Sequence, residues 1–275
     1  MNKTIILPTD FSDSARNAYD YAFGLFGFKN VRYILCNTYV VVKTRMDFLI
    51  SWKATMSKIS IEGLENELAY CQQKYRGENL EIEILSQVGT LAPALEKLIE
   101  KEKVDFIVMG ATGSSEFEKV FLGSNVTRVI RNVPCPTIVV PSGTVFDNLY
   151  SIAFAASTDS DNYKSLAPLN EIAMQYDSKL LVFNVSNDWS RTKTNAKNIK
   201  KNMQEFLKSI PYDFTIVCED DIMAGIEKVI NENDINLLVM VAKQYDFFEA
   251  LFHQSMTKNI ALHLGKTPLL VLHEK

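Results

Sequence analysis

The chain has 275 residues, with 29 Lys and Arg against 33 Asp and Glu, for a formal net charge of -4. With 47% hydrophobic and 23% charged residues it can bury a core, which excludes an intrinsically disordered chain. The slight acidity argues against a nucleic-acid partner, and no apolar run reaches the roughly 18 to 20 residues that cross a bilayer, so no membrane partner is expected.

In chain order, Met1-Asn2-Lys3-Thr4 runs straight into the strand-like Thr4-Ile5-Ile6-Leu7 without the apolar core of a signal peptide. Residues 12–27 read as a first helix, with Ser12 or Asp13 as N-cap and Ala15, Ala18, Tyr19, Ala22, Phe23 and Phe26 on its inner face. Residues 33–37 form a second strand. Residues 46–75 form a long amphipathic stretch with room for an early break near Ser51; its apolar stripe of Met46, Phe48, Leu49, Trp52 and Met56 reads as core or lid packing, with a partner surface as the alternative. Residues 80–84 alternate like a strand, residues 92–101 form a helix with Pro93 in its first turn, and residues 106–109 a buried strand. A helix opens at residues 125–131 and a strand closes this half at 136–140. Strands separated by helices imply an α/β fold with an open parallel sheet covered on both faces, whose ligands bind beyond the carboxyl ends of the strands. Cys36, Cys71, Cys135 and Cys218 form no Cys-x-x-Cys pair, and are expected as reduced thiols of a cytoplasmic protein.

The pattern then repeats. Residues 219–240 follow residues 88–109 at an offset of 131: Glu227-Lys228 falls on Glu96-Lys97 and Val239-Met240 on Val108-Met109. Residues 151–154, 180–184, 213–217 and 268–272 supply the remaining strands of a second copy. The halves meet at the turn-rich Pro141-Ser142-Gly143-Thr144, which gives two domains of one fold, 1–144 and 145–275.

The motif with the most chemistry starts at the end of a buried strand: Gly110-Ala111-Thr112-Gly113, nine residues, then Gly123-Ser124-Asn125, or G-x2-G-x9-G-S. Gly110 and Gly113 permit positive φ and close backbone approach, and Gly123-Ser124 precedes a helix whose free N–H groups favour an anion. This spacing fits a phosphate cradle, against the alternative that the glycines are turns and caps only. It is neither a Walker A loop nor a G-x-G-x-x-G fingerprint.

Pro8-Thr9-Asp10-Phe11-Ser12, Val108-Met109-Gly110-Ala111-Thr112-Gly113, Leu122-Gly123-Ser124-Asn125 and Val133-Pro134-Cys135-Pro136-Thr137 together resemble the universal stress protein family, in its ATP-binding branch. The resemblance spans the first half and extends weakly through the second. It implies two tandem domains of the adenine nucleotide alpha-hydrolase-like, Rossmann-like type. It implies ATP or a related adenine nucleotide, with or without Mg2+, in the first domain. Pro8, Thr9, Asp10 and Thr38 would lie at the adenosine end, with a helix cap as the alternative role of Asp10. Met109, Gly110, Gly113 and Ser114 would line the ribose-phosphate loop, and Gly123, Ser124 and Asn125 the phosphate end. Asn37-Thr38 departs from the His-Val that the family usually carries. The resemblance also implies pairing of the two copies through residues 137–140 and 269–272, with a homodimer of the tandem chain left open.

The second half departs from the motif. Val241 stands at the place of Gly110, Gln244 near Gly113, His253 at Gly123 and Gln254 at Ser124, and either Ser157 or Asp159 at Asp10. No family-type nucleotide site is expected there. His253, His263 and His273 read as surface or packing residues rather than metal ligands, and no G-x-S-x-G elbow is present. Lys193, Lys197, Lys200 and Lys201 read as a solvated helix face, with an anionic partner as the lesser reading. Glu116-Phe117-Glu118-Lys119 offers no placed general base. The expected function is a stress-response sensor or partner module that binds an adenine nucleotide; a slow ATP hydrolase and a scaffold with empty pockets are the alternatives.

Overall fold

The computed structural model describes residues 3–41, 46–112, 122–156, 163–186, 192–207, 210–242 and 265–273. The chain divides into two compact units, Met1–Lys119 with Gly123–Phe146, and Val120–Leu122 with Asp147–Lys275.

The first unit runs β1 (Lys3–Pro8), α1 (Asp13–Phe26), β2 (Val31–Tyr39), α2 (Met46–Lys74), β3 (Glu81–Val88), α3 (Leu91–Lys101), β4 (Phe106–Gly110), α4 (Ser124–Asn132) and β5 (Thr137–Val140). All strand pairs are parallel, in the order β3-β2-β1-β4-β5. The central strands are apolar throughout because both of their faces are covered: Ile5, Ile6, Leu7, Ile107 and Val108 are fully buried. Burial of each such side chain contributes roughly 1.5–3 kcal/mol. The chain first builds outward through β2 and β3, then returns to place β4 on the free side of β1. Strand order therefore reverses between β1 and β4, where α/β sheets open a crevice at their carboxyl edge.

Ser12 is the N-cap of α1: its Oγ accepts from the Ala15 N–H at 3.2 Å. Gly27, at φ +69°, closes the helix, its N–H bonding to the Phe23 carbonyl at 2.9 Å. The expected inner face is the observed one, with Ala15, Ala18, Tyr19, Ala22, Phe23 and Phe26 all buried. α2 is one continuous helix of 29 residues, without the early break for which the sequence left room near Ser51. Side-chain pairs dock it on α1. Arg16 Nε and Nη2 donate to the carboxylate of Glu67 at 2.7–3.2 Å, and Lys74 and Tyr75 donate to Asp20 at 2.6 and 2.7 Å.

The second unit contains β6 (Ser151–Ala155), a 3-10 turn (Tyr163–Leu166), α5 (Ala167–Tyr176), β7 (Lys179–Ser186), α6 (Thr192–Phe206), β8 (Tyr212–Cys218), α7 (Ile222–Glu232), β9 (Leu237–Ala242) and β10 (Leu269–His273). Its strands are again parallel, in the order β8-β7-β6-β9-β10, which is the order of the first unit. His273, placed beyond the last strand by sequence reading, is instead the final residue of β10. All four cysteines are free thiols; Cys36, Cys71 and Cys135 are buried and Cys218 is half-buried.

Candidate functional site

At the carboxyl end of β1 the chain makes a sharp corner. The Thr9 N–H extends the β1–β2 ladder by donating to the Cys36 carbonyl at 2.8 Å. The amides of Phe11 and Ser12 are taken by side chains: the Phe11 N–H donates to Thr9 Oγ1 at 2.9 Å, and the Ser12 N–H to Asp10 Oδ1 at 3.1 Å. Phe11 sits at φ +67°, a left-handed conformation that costs a non-glycine residue about 1–2 kcal/mol. Asp10 thus shapes the corner ahead of α1 while Ser12 caps the helix, so the alternative reading of Asp10 as the cap does not hold.

β2 supplies Asn37 and Thr38 beside this corner. Asn37 Nδ2 donates to the Thr9 carbonyl at 2.7 Å, and its Oδ1 accepts from Ser60 Oγ of α2 at 2.7 Å. β4 supplies Met109 and Gly110. Gly110 does not use the positive φ that a glycine permits; what requires glycine here is the close approach of α1, since a Cβ would lie 2.8 Å from the Ser14 carbonyl oxygen. The close approach is between backbone and backbone. Gly123, at φ −58° and ψ 150°, also lies outside the left-handed region. It is the N-cap of α4; its N–H donates to the Ala111 carbonyl at 2.8 Å, and no side chain caps the helix. The first turn of α4 carries no acidic residue of its own to offset its amide dipole.

These pieces enclose a cleft of about 270 Å³. Of the residues expected at a site, Pro8, Thr9, Asp10, Thr38, Met109, Gly110, Gly123, Ser124 and Asn125 line it together; Gly113 and Ser114 lie outside the described residues. Ala15, Asn37, Leu91, Thr112 and Val126 also line it and were not singled out from sequence. The signal for Leu91 and Val126 is their place in the first turn of a helix that follows a glycine; Asn37 stands out in the sequence only as a departure from the family's usual histidine. Asp10 is the one ionisable side chain of the described lining, and no group of three or more potential metal ligands occurs among the described residues.

The strand pairings of the second unit identify its equivalent positions. Ile152 pairs with Leu237 as Ile5 pairs with Phe106. Ala156 stands at the place of Thr9, Val185 at Thr38, and Val241 at Gly110. Val185 is pressed on α7, where a Cβ at Gly225 would lie 2.6 Å from Val185 Cγ1. Ser157, Asp159, Gln244, His253, Gln254 and His263 lie outside the described residues, as does Glu116-Phe117-Glu118-Lys119.

The profile of the Universal stress protein family matches residues 1–141. The chain belongs to this family. A universal stress protein of Methanocaldococcus jannaschii is 33% identical over 146 residues, covering 50% of this chain and 81% of its own. A universal stress protein of Synechocystis sp. is 24% identical over 293 residues, covering 98% of this chain and 99% of its own. The crystal structure of a universal stress protein from Archaeoglobus fulgidus shares the fold, at 19% identity and a TM-score of 0.67 over 98% of this chain and 96% of that one. The sheets are of the adenine nucleotide alpha-hydrolase-like type that the sequence resemblance implied. No helix among the described residues of this universal stress protein is long and apolar enough to cross a membrane.

Proposed function

We propose that the first unit binds ATP or a related adenine nucleotide in the cleft at the β1–β4 crossover, as a stress-response sensor or partner module, and that the second unit does not bind one. The adenosine end lies at Thr9, Asp10 and Thr38, with Leu91, Ala15 and Val126 as apolar walls. The phosphates lie at Gly110, Gly123, Ser124 and Asn125. The observation that carries this reading is the uncapped N-terminus of α4 opening on the cleft, where backbone amides and the helix dipole supply an anion site without a basic residue. Phosphoryl transfer calls for cationic or metal clamping of the transferred group. The described lining, with one carboxylate and no Lys or Arg, supports a binding role over a hydrolytic one. Mg2+, where it accompanies the nucleotide, would be held by the phosphates and water.

Calorimetric titration with ATP tests the assignment, with wild type beside Gly123→His, which copies His253 into the first unit. Binding by wild type and its loss in the variant are expected. No heat with wild type at millimolar ATP, or equal binding by both proteins, removes the proposal. Phosphate release followed over hours separates a binder from a slow hydrolase.

A further inference from the structure

Two residues of α2, outside the cleft lining, support the corner that carries Thr9 and Asp10, Gly63 directly and Ser60 through Asn37. Gly63 faces the Phe11 ring: a Cβ there would lie 2.5 Å from Cζ and 2.7 and 2.8 Å from the two Cε atoms, so the ring sits directly on helix backbone. One turn earlier, Ser60 is 2% exposed and donates to Asn37, whose amide in turn holds the Thr9 carbonyl. Ser60 Oγ also lies 2.7 Å from Ser86 Oγ of β3. Phe11 keeps its left-handed backbone through this packing, since sterics alone disfavour that conformation in a bulky residue. The helix is itself anchored one turn further on, where Glu67 takes the Arg16 fork.

We infer that α2, through Gly63 and Ser60, positions the Thr9–Asp10–Phe11 corner and thereby sets the affinity of the cleft for its ligand. The inference rests on the nucleotide-binding reading. Gly63 and Ser60 touch no ligand; they fix the residues that do, as the support around a site fixes its geometry. Glycine in the middle of a helix has no other evident purpose here, because alanine is the better helix former.

That preference makes the test selective. Gly63→Ala gains helix propensity while it evicts the Phe11 ring, so the melting temperature of the variant stays close to that of wild type. Hydrogen exchange on the ligand-free protein should show faster exchange of the Phe11 and Ser12 amides, and ATP should bind about tenfold more weakly, a factor that a small misplacement of contact groups suffices to produce. Phe11→Leu combined with Gly63→Ala shortens the side chain to fit the new methyl and should restore both readouts toward wild type. Unchanged exchange at Phe11 and Ser12 in Gly63→Ala overturns the positioning role. So does faster exchange with undiminished ATP binding. Absence of ATP binding by wild type removes the nucleotide reading instead, and the exchange result still decides whether Gly63 holds the corner.

Discussion

Asn37 and Asn184 make the same hydrogen bond in the two units: each side-chain amide donates to the carbonyl just beyond the first strand, Thr9 at 2.7 Å and Ala156 at 2.8 Å. The backbone copies this too, with Thr9 N–H on Cys36 and Ala156 N–H on Phe183, both at 2.8 Å. The units differ at the other end of the amide. Asn37 Oδ1 accepts from Ser60, whereas Asn184 Oδ1 is buried with no partner among the described residues.

Asn37→Ala strands the Thr9 carbonyl and takes one partner from the Ser60 hydroxyl, which keeps Ser86 Oγ, and should cost about 1–3 kcal/mol. Asn184→Ala strands one carbonyl and removes an unsatisfied acceptor, so it should cost less. Urea unfolding followed by hydrogen exchange at the strand amides of each unit reads the two losses separately. Equal losses, or the larger loss at Asn184, would contradict the difference in partners.

Gly110→Ala tests whether that glycine serves packing or ligand approach. The added Cβ would meet the Ser14 backbone at 2.8–2.9 Å, and a carbonyl within a helix cannot swing aside. Overpacking of this kind costs about 1–3 kcal/mol, and the loss should appear without any nucleotide present. A ligand-free melting temperature equal to that of wild type would return the glycine to the role read from sequence.

At the start of α4, fold stability and ligand affinity should move in opposite directions. Ser124→Asp places a negative charge on an uncapped helix N-terminus and should stabilise the fold by about 0.3–1 kcal/mol. The same charge opposes a phosphate, so ATP affinity should fall at least tenfold, roughly the 1.4 kcal/mol of one repulsive contact. Thermal melting with and without ATP reads both effects. A variant that binds ATP as wild type does would move the phosphates elsewhere.

Burial pushes the Cys36 and Cys71 thiols up to about 12 from an ordinary 9.0. The unfolded chain releases these protons near pH 9 while the folded chain keeps them. Stability from this source is therefore complete below pH 9 and declines as pH rises toward 12. Iodoacetamide at pH 8 should label half-buried Cys218 in the native protein, and Cys36, Cys71 and Cys135 only after unfolding. Early labelling of Cys36 or Cys71 would show the first unit opening locally.

The buried strands were legible because nothing but an unbroken apolar run suits a strand covered on both faces. Residues 106–109 and 237–240 aligned at 131, and the observed pairing keeps that offset. The edge strands were less legible. Matching residues 80–84 to 213–217 position for position gives an offset of 133, whereas Tyr33 pairs with Ile82 and Leu180 with Tyr212, which gives 130. β3 and β8 are only half-buried, and a weakly alternating pattern fixes the period but not the register. In the cleft, Pro8 to Asp10 and Gly123 to Asn125 could be found because turns and helix starts have characteristic residues. Asn37 and Gly63 could not, since their partners, Thr9 with Ser60 and Phe11, come from distant elements.

Between β7 and β8 the offset between the halves falls from 147 to 130, and most of that difference is helix: α2 has 29 residues and α6 has 15. Fourteen residues make nearly four turns, so the shorter helix arrives at the next strand with its apolar side still facing the sheet. A crossover between two parallel strands can thus gain or lose whole turns without shifting either strand. In a duplicated gene the sheet is the part that must be inherited intact, while the helices are free to be resized for each half's own task.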